Sequence, residues 1–177
     1  TNVFPEKFYE LAKENDLYRF ALPAQYGGWD LSELDILRVQ EQFSRGPGGM
    51  RMHLHYAADL NWRILDDYGS DELKAQYMDK FQDKTIFTCF ALTEQSGGTP
   101  GYEVTPMPHM MGARGAAHTG LKFTDMKLDK KYLLGEEGQG MEIAIHSLSV
   151  SRAHIAASNL GMCQRMLEMS LARANDR

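Results

Sequence analysis

The chain has 177 residues, of which 43% are hydrophobic and 24% charged, and its formal net charge is −5 at pH 7. These values are ordinary for a soluble globular protein of one domain, or of one domain and part of another. Lysine and arginine form no basic stripe and no apolar stretch could cross a bilayer, so we expect neither nucleic-acid binding nor a membrane span. Cys89 and Cys163 lie far apart and are expected to be reduced thiols.

The first half of the chain predicts helices joined by short links. Apolar residues recur at helical spacing from Pro5 to about Asn15 and predict the first helix. Ser32 is a natural N-cap for a second helix, which should end at the glycine-rich cluster 45–49 because glycine and proline interrupt helices.

A third helix is predicted from about Met52 to Asp67, and a fourth follows Ser70, which again has the character of an N-cap. Four helices with short links predict an antiparallel bundle. The third helix is expected to turn four apolar side chains inward: Ala57, Leu60, Ile64 and Leu65.

His53 and His55 lie two positions apart in the third predicted helix, which places the two imidazoles on different faces. This spacing does not suit a metal site, and the preferred interpretation is a solvent-exposed pair. We expect no metal site in the chain.

The hydrophobic pattern changes at Thr85. Residues 85–93 are rich in β-branched and aromatic side chains and predict a largely buried strand. Residues 102–108 and 118–128 follow as short alternating strands. The core side chains of the last strand are expected to be Leu121, Phe123 and Met126.

A glycine-containing loop, 133–140, leads into one long helix from Met141 to about Asn175. This helix is longer than a small globule needs, so it predicts a further layer of helices or another subunit alongside. Its apolar residues at helical spacing are Ile145, Leu148, Ile155, Ala156, Leu160, Met166, Leu167 and Leu171.

Five segments, taken together and in this order, resemble motifs of the acyl-CoA dehydrogenase family. They are ALPAQYGGWDLS (21–32), YGSDELKAQYM (68–78), FALTEQSGGTP (90–100), GLKFTDMKLDKKYLLGEEGQGM (120–141) and SRAHIAASNLG (151–161). The resemblance implies an α+β, mainly α fold. It comprises an N-terminal helical domain (1–84), a shortened middle β-domain (85–135) and the start of a C-terminal helical domain (136–177).

The resemblance also implies a binding site for FAD. The backbone from Phe90 through Ala91, Leu92 and Thr93 to Glu94 would lie against the flavin ring, where added hydrogen-bond donors stabilise the reduced ring. Gly98 and Thr99 would approach the pyrophosphate and the CoA arm, and Arg177 stands at an arginine of the family's R-x-x-f-G motif. This chain departs from the flavin motif at three positions: Gln95, Thr99 and Pro100.

Substrate contacts are implied for Thr99, Ser149 and Arg152. For Arg152 two roles stay open, lining of the acyl-CoA pocket and anchoring of neighbouring helices by a buried guanidinium. Some relatives carry the catalytic glutamate immediately before this arginine, but here that position is Ser151, with no activating neighbour in sequence. The catalytic base is therefore not assigned to any of these residues.

The implied activity is α,β-desaturation of an acyl-CoA thioester, with electrons passed to an electron-transfer flavoprotein. The family also implies a homodimer or homotetramer, in the bacterial cytoplasm or the mitochondrial matrix. Part of the middle domain is expected to be absent near residues 100 and 101, as are the helices beyond residue 177. An alternative function is a catalytically silent subunit or scaffold that is paired with another chain.

Overall fold

The computed structural model describes residues 6–58, 61–82, 86, 88, 101–106 and 119–176. Two antiparallel strands, β1 (Gly101–Pro106) and β2 (Thr119–Thr124), separate a set of short helices from the long helix α7 (Gly140–Asn175). The short helices are α1 (Glu6–Glu14), α2 (Glu33–Phe43), α3 (Gly48–Ala58), α4 (Asn61–Tyr68), α5 (Asp71–Tyr77) and α6 (Asp79–Gln82).

Serine caps begin two of these helices, as the sequence predicted. The hydroxyl oxygen of Ser32 accepts a hydrogen bond from the backbone N–H of Asp35 at 3.2 Å. The hydroxyl of Ser70 accepts one from the N–H of Leu73 at 3.3 Å. Each cap satisfies a backbone donor that the helix itself leaves unpaired.

Helix α3 begins four residues earlier than predicted, at Gly48 within the glycine-rich cluster. The carbonyl of Pro47 accepts a hydrogen bond from the N–H of Arg51 at 3.2 Å and so starts the helix. Glycine costs little here because the first turn has few intrahelical hydrogen bonds to lose. Residues 59 and 60 lie outside the described part of the chain, so α3 and α4 are described as separate helices.

Three clusters of buried side chains hold the helices and the connection between α1 and α2 together. The first includes Leu22, Trp62, Leu65 and Phe81, with Ile86 packed against it. The second is formed around Ala12, Tyr18 and Leu54. The third contains Phe20, Ala21 and Ile36. The predicted inward orientation of Ile64 and Leu65 is confirmed, at 7% exposure each; the side chains of Ala57 and Leu60 lie outside the described residues.

The strands β1 and β2 confirm the last two predicted strands, with Tyr102 opposite Phe123 and Val104 opposite Leu121. Leu121 is half-buried. The prediction that Phe123 and Met126 are core residues is wrong, since they are 50% and 44% exposed. A two-stranded ribbon gives its faces little cover, and the left-handed backbone of Asp125, with φ of 45°, ends the strand before Met126.

Helix α7 is 36 residues long and confirms the predicted long helix. The residues on its buried face are mostly small or polar. From Ala144 onward they recur at alternating steps of three and four residues, which is the spacing of side chains that contact a neighbouring helix. The buried residues are Ile143, Ala144, Ser147, Ser151, His154, Ser158 and Gly161.

The predicted apolar residues of α7 instead point outward. Leu148 is 40% exposed and Met166 60%. Ala156 is exposed as well. The described residues leave that face uncovered. The expectation that other helices or another subunit lie alongside stays a prediction. Within the described residues, none of the helices has both the length and the apolar character needed to cross a bilayer.

Candidate functional site between helices α2, α3, α4 and α7

All of the predicted flavin-contacting residues, together with Cys89, lie outside the described part of the chain. Two predicted substrate contacts are described, and both lie on exposed positions of α7. The hydroxyl of Ser149 donates a hydrogen bond to the carbonyl of Ile145 at 2.8 Å. Arg152 is exposed, and its two open roles, lining of the acyl-CoA pocket and anchoring of neighbouring helices, stay predictions. The predicted residues outside the described part are Phe90, Ala91, Leu92, Thr93, Glu94, Gly98, Thr99 and Arg177.

The interpretation of His53 and His55 as a solvent-exposed pair is also wrong. The two rings do lie on different faces of α3, but each face is covered. His55 is 3% exposed and faces α7, where its Nε2 lies 3.4 Å from the hydroxyl of Ser151. The pattern of a helix shows which face a residue occupies but not which other helices pack against it.

On the opposite face, His53 is half-buried among aromatic rings. Its ring centroid lies 4.6 Å from that of Tyr9 and 5.8 Å from that of Phe8, both in edge-on geometry. The hydroxyl of Tyr18 is 2.9 Å from Nε2 of His53. Burial raises the pKa of Tyr18 to about 12, and the proximity of Tyr9 contributes in the same direction. This arrangement attaches α1 to α3.

His154 and Ser151 come from successive turns of α7 and both face the interior. His154 is 1% exposed. Its ring lies edge-on to that of His55, with centroids 6.3 Å apart and planes at 65°. No sequence pattern indicates this arrangement, because Ser151 and its partner His55 are 96 positions apart.

Glu33, in the first turn of α2, links this buried group to the surface. Its Oε2 lies 3.7 Å from Nε2 of His154, and 58% of its side chain is exposed. Its other carboxylate oxygen accepts a hydrogen bond from the guanidinium of Arg63, which also lies 4.8 Å above the ring of Trp62. We call Glu33, His55, Arg63, Ser151 and His154 the histidine cluster.

Close packing of α2 against α7 fixes the position of this cluster. A Cβ at Gly161 would stand 2.0 Å from the carbonyl oxygen of Glu41 and 3.2 Å from Cβ of Ser44. Only a glycine lets the two backbones approach so closely. Gln40 and Ser158, one from each of these helices, are fully buried. Further along α7, the guanidinium of Arg45 donates to both oxygens of Glu168 at 2.7 and 2.8 Å.

The histidine cluster is suited to moving protons. Either the hydroxyl of Ser151 or the ring N–H of His55 donates in their contact, according to the tautomer of the ring. Histidine is the side chain that most readily gains and loses a proton near neutral pH. Within the described residues, the acidic, histidine and cysteine side chains form no group of three placed to hold a metal ion.

Comparison with known proteins identifies the family to which the chain is similar. The family model "Acyl-CoA dehydrogenase, N-terminal domain" matches residues 1–85, and "Acyl-CoA dehydrogenase, C-terminal domain" matches residues 138–177. The human mitochondrial short-chain specific acyl-CoA dehydrogenase is 34% identical over 214 residues, covering 88% of this chain and 52% of that protein. The cyclohex-1-ene-1-carbonyl-CoA dehydrogenase of Geobacter metallireducens is 23% identical over 235 residues, covering 99% of this chain and 62% of its own.

Solved structures show the same fold. The butyryl-CoA dehydrogenase of Megasphaera elsdenii superposes with a TM-score of 0.87 at 18% identity, over 99% of this chain and 62% of that one. An acyl-CoA dehydrogenase from Bacillus anthracis complexed with FAD superposes with a TM-score of 0.84 at 20% identity, over 96% of this chain and 39% of its own. The fold is therefore that of a flavin-dependent acyl-CoA dehydrogenase.

This chain belongs to the acyl-CoA dehydrogenase family. It spans between 52% and 62% of the length of the two relatives described above. The alignment with the Geobacter protein covers 235 positions, more than the 177 residues of this chain, so it contains gaps in this chain.

Proposed function

We propose that this protein acts as an FAD-dependent acyl-CoA dehydrogenase, which introduces a double bond between the α and β carbons of an acyl-CoA thioester. The observation that carries the proposal is the match of both an N-terminal and a C-terminal family model to one chain, with residues 86–137 between them. That intervening stretch includes FALTEQSGGTP, the segment that resembles the flavin motif of the family.

FAD is the proposed cofactor, and when bound it supplies an acceptor for the hydride that leaves the β carbon. The proposed contacts from Phe90 to Glu94, together with Gly98 and Thr99, lie outside the described residues. They rest on the motif alone. Amide groups of this segment would hydrogen-bond the edge of the ring, with the hydroxyl of Thr93 as an added partner.

Acyl-CoA is the proposed substrate, with Thr99, Ser149 and Arg152 as proposed contacts. Ser149 and Arg152 lie on exposed positions of α7. An electron-transfer flavoprotein is the proposed electron acceptor. A homodimer or homotetramer, located in the bacterial cytoplasm or the mitochondrial matrix, is the proposed setting.

A silent subunit remains a second candidate because of one residue. The position before Arg152, where some relatives carry the catalytic glutamate, is Ser151, and a hydroxyl alone is a weak base for a thioester α-proton. His55 now supplies that hydroxyl with a partner at 3.4 Å. The second candidate would retain the fold, and even the flavin, without the reaction.

Spectroscopy of the purified protein separates the two candidates. An enzyme should be yellow as isolated, and anaerobic addition of a panel of saturated acyl-CoA thioesters should bleach the flavin absorbance for at least one of them. A yellow protein that no acyl-CoA bleaches supports the silent subunit. A colourless protein that takes up no added FAD contradicts the proposed function.

A further inference from the structure

Four neighbouring side chains from three helices form a series of contacts that begins at the surface and continues into the helical bundle. Glu33 of α2 is at the outer end, with 58% of its side chain exposed. His154 of α7 and His55 of α3 follow, with exposures of 1% and 3%, and Ser151 of α7 is at the inner end with 3%. The series therefore crosses from solvent to interior through groups that all exchange protons.

We propose that Glu33, His154 and His55 form a proton path that connects Ser151 with the surface. Oε2 of Glu33 lies 3.7 Å from Nε2 of His154, and Nε2 of His55 lies 3.4 Å from the hydroxyl of Ser151. Between them, the two imidazole rings have centroids 6.3 Å apart. The step between the rings therefore requires a rotation of one ring or one bridging water molecule.

The transfer balances as a relay of single protons. Ser151 passes its hydroxyl proton to Nε2 of His55 as its oxygen takes up the incoming proton. His55 releases the proton on Nδ1 to Nδ1 of His154, and His154 releases the one on Nε2 to the carboxylate of Glu33, which gives it to solvent. One proton moves outward in total, and no electrons are transferred.

Two charged groups stand at the outer end of the path. Glu33 from α2 and Arg63 from α4 meet at the outer end, where the guanidinium binds Oε1 of the carboxylate. This contact orients the other oxygen toward His154. On the inner side, the ring of His55 from α3 faces that of His154.

The use of the path rests on the proposed function. Desaturation removes a proton from the α carbon, and that proton must reach solvent. Ser151 occupies the position at which some relatives carry the proton-accepting glutamate. A path that begins at this residue gives the proton an exit through the bundle.

Exchange of histidine ring protons with solvent tests the path directly, without cofactor or substrate. The protein is labelled with ¹⁵N-histidine, and exchange rates of the ring N–H groups are measured by NMR for the parent, for Glu33→Gln and for Asp35→Asn. Asp35→Asn is the matched control, since it removes the same charge from the same turn of α2 away from the cluster. His53, on the opposite face of α3, is an internal reference in every sample.

We expect Glu33→Gln to slow exchange at His154 and His55 by about tenfold, which corresponds to about 1.4 kcal/mol of barrier. His53 should be unchanged in this variant, and all three rings should be unchanged in Asp35→Asn. Equal rates in Glu33→Gln and the parent would overturn the path. If Glu33→Gln fails to fold, Glu33→Ala also removes the carboxylate, and unchanged rates in it would count equally against the path.

A second measurement separates the path from its use. The protein is incubated in D₂O with an acyl-CoA, and deuterium incorporation at the α carbon is followed. Slower deuterium incorporation in Glu33→Gln, together with slower exchange of the ring protons, supports both the path and its use in desaturation. If ring exchange is slower in Glu33→Gln but no protein incorporates deuterium at the α carbon, the path is supported and its use in the proposed dehydrogenase is contradicted.

Discussion

Gly161 of α7 lies directly against the backbone of Glu41 in α2, so that a Cβ on the glycine would stand 2.0 Å from the carbonyl oxygen of Glu41. Both helices contribute to the histidine cluster, Glu33 from one and Ser151 and His154 from the other. The distance between the two backbones therefore determines whether the carboxylate reaches the ring.

Gly161→Ala should destabilise the protein because the added methyl group has a backbone atom, and not a flexible side chain, in its way. We expect a loss of about 1–3 kcal/mol in the free energy of unfolding, the usual cost of overpacking, measured by urea denaturation. Gly140→Ala, at the start of the same helix, is the matched control, since a Cβ there would meet nothing within 4 Å. If the Gly161→Ala variant is as stable as the Gly140→Ala variant, then α2 and α7 can move apart without a loss in the free energy of unfolding, which would contradict this prediction.

Tyr18→Phe should weaken the attachment of α1 to α3. The hydroxyl of Tyr18 lies 2.9 Å from Nε2 of His53, and its loss should cost about 1 kcal/mol near pH 7, the net worth of one hydrogen bond. Tyr132→Phe, in the exposed turn before α7, is a suitable control because that side chain is 40% exposed. Equal losses in the two variants would contradict the assigned contact.

The same tyrosine should make stability depend on pH in the alkaline range. The pKa of Tyr18 is raised from 10.0 to about 12 in the folded protein, so between these values the unfolded chain holds fewer protons and stability falls as pH rises. This contribution is fully present below pH 10 and lost as pH passes through about 12. Denaturation curves of parent and Tyr18→Phe should therefore converge above pH 10, and a constant difference would exclude the effect.

Thr93→Val should weaken retention of FAD while leaving the helical content unchanged. The hydroxyl is proposed as one neutral hydrogen bond to the flavin edge, which is worth about 1 kcal/mol or roughly a fivefold change in affinity. FAD occupancy after gel filtration and circular dichroism are the two measurements. Thr85→Val makes the same replacement outside the flavin motif and should bind like the parent. Equal occupancy in all three proteins would remove Thr93 from the site.

The outward face of α7 should prevent a stable monomer. Leu160 and Leu167 are 52% and 60% exposed, with other apolar side chains around them, and faces of this kind are normally covered by a partner. Sedimentation at micromolar concentration should show an oligomer, and Leu160→Asp should shift it toward smaller species more than the control Asn159→Asp. A compact monomer for the parent would contradict this expectation.

The sequence predicted the local features of the fold well because these depend on neighbours in the chain. The caps at Ser32 and Ser70 and the long helix after Gly140 all follow from short-range patterns, and the structure confirms them. The start of α3 lies earlier than the sequence predicts, because glycine-rich clusters such as 45–49 are taken to interrupt helices. The first turn of a helix, where Gly48 lies, nevertheless tolerates glycine.

The candidate site could not be predicted in the same way because its residues meet only in the folded chain. His55 and Ser151 are 96 positions apart, and nothing near Ser151 in sequence indicates a histidine opposite it. The apolar pattern of α7 was also misleading as a guide to the interior. Its buried face is determined by how closely α2 approaches, and this distance favours serine and glycine over leucine.

The two faces of α7 should therefore differ in how much replacement they tolerate. In a library of random substitutions, the inner positions from Ser147 to Gly161 would accept few changes, because they are buried and Gly161 has no room even for a methyl group. The outer positions, such as Ile155 and Met166, would accept many apolar replacements, since their partner surface can adjust. Among natural variants of this chain, the residue types at the outer positions of α7 would vary widely, whereas the side-chain volumes at the inner positions would stay nearly constant. Such a set of sequences would show which face of the helix is tightly packed, independently of any one structure.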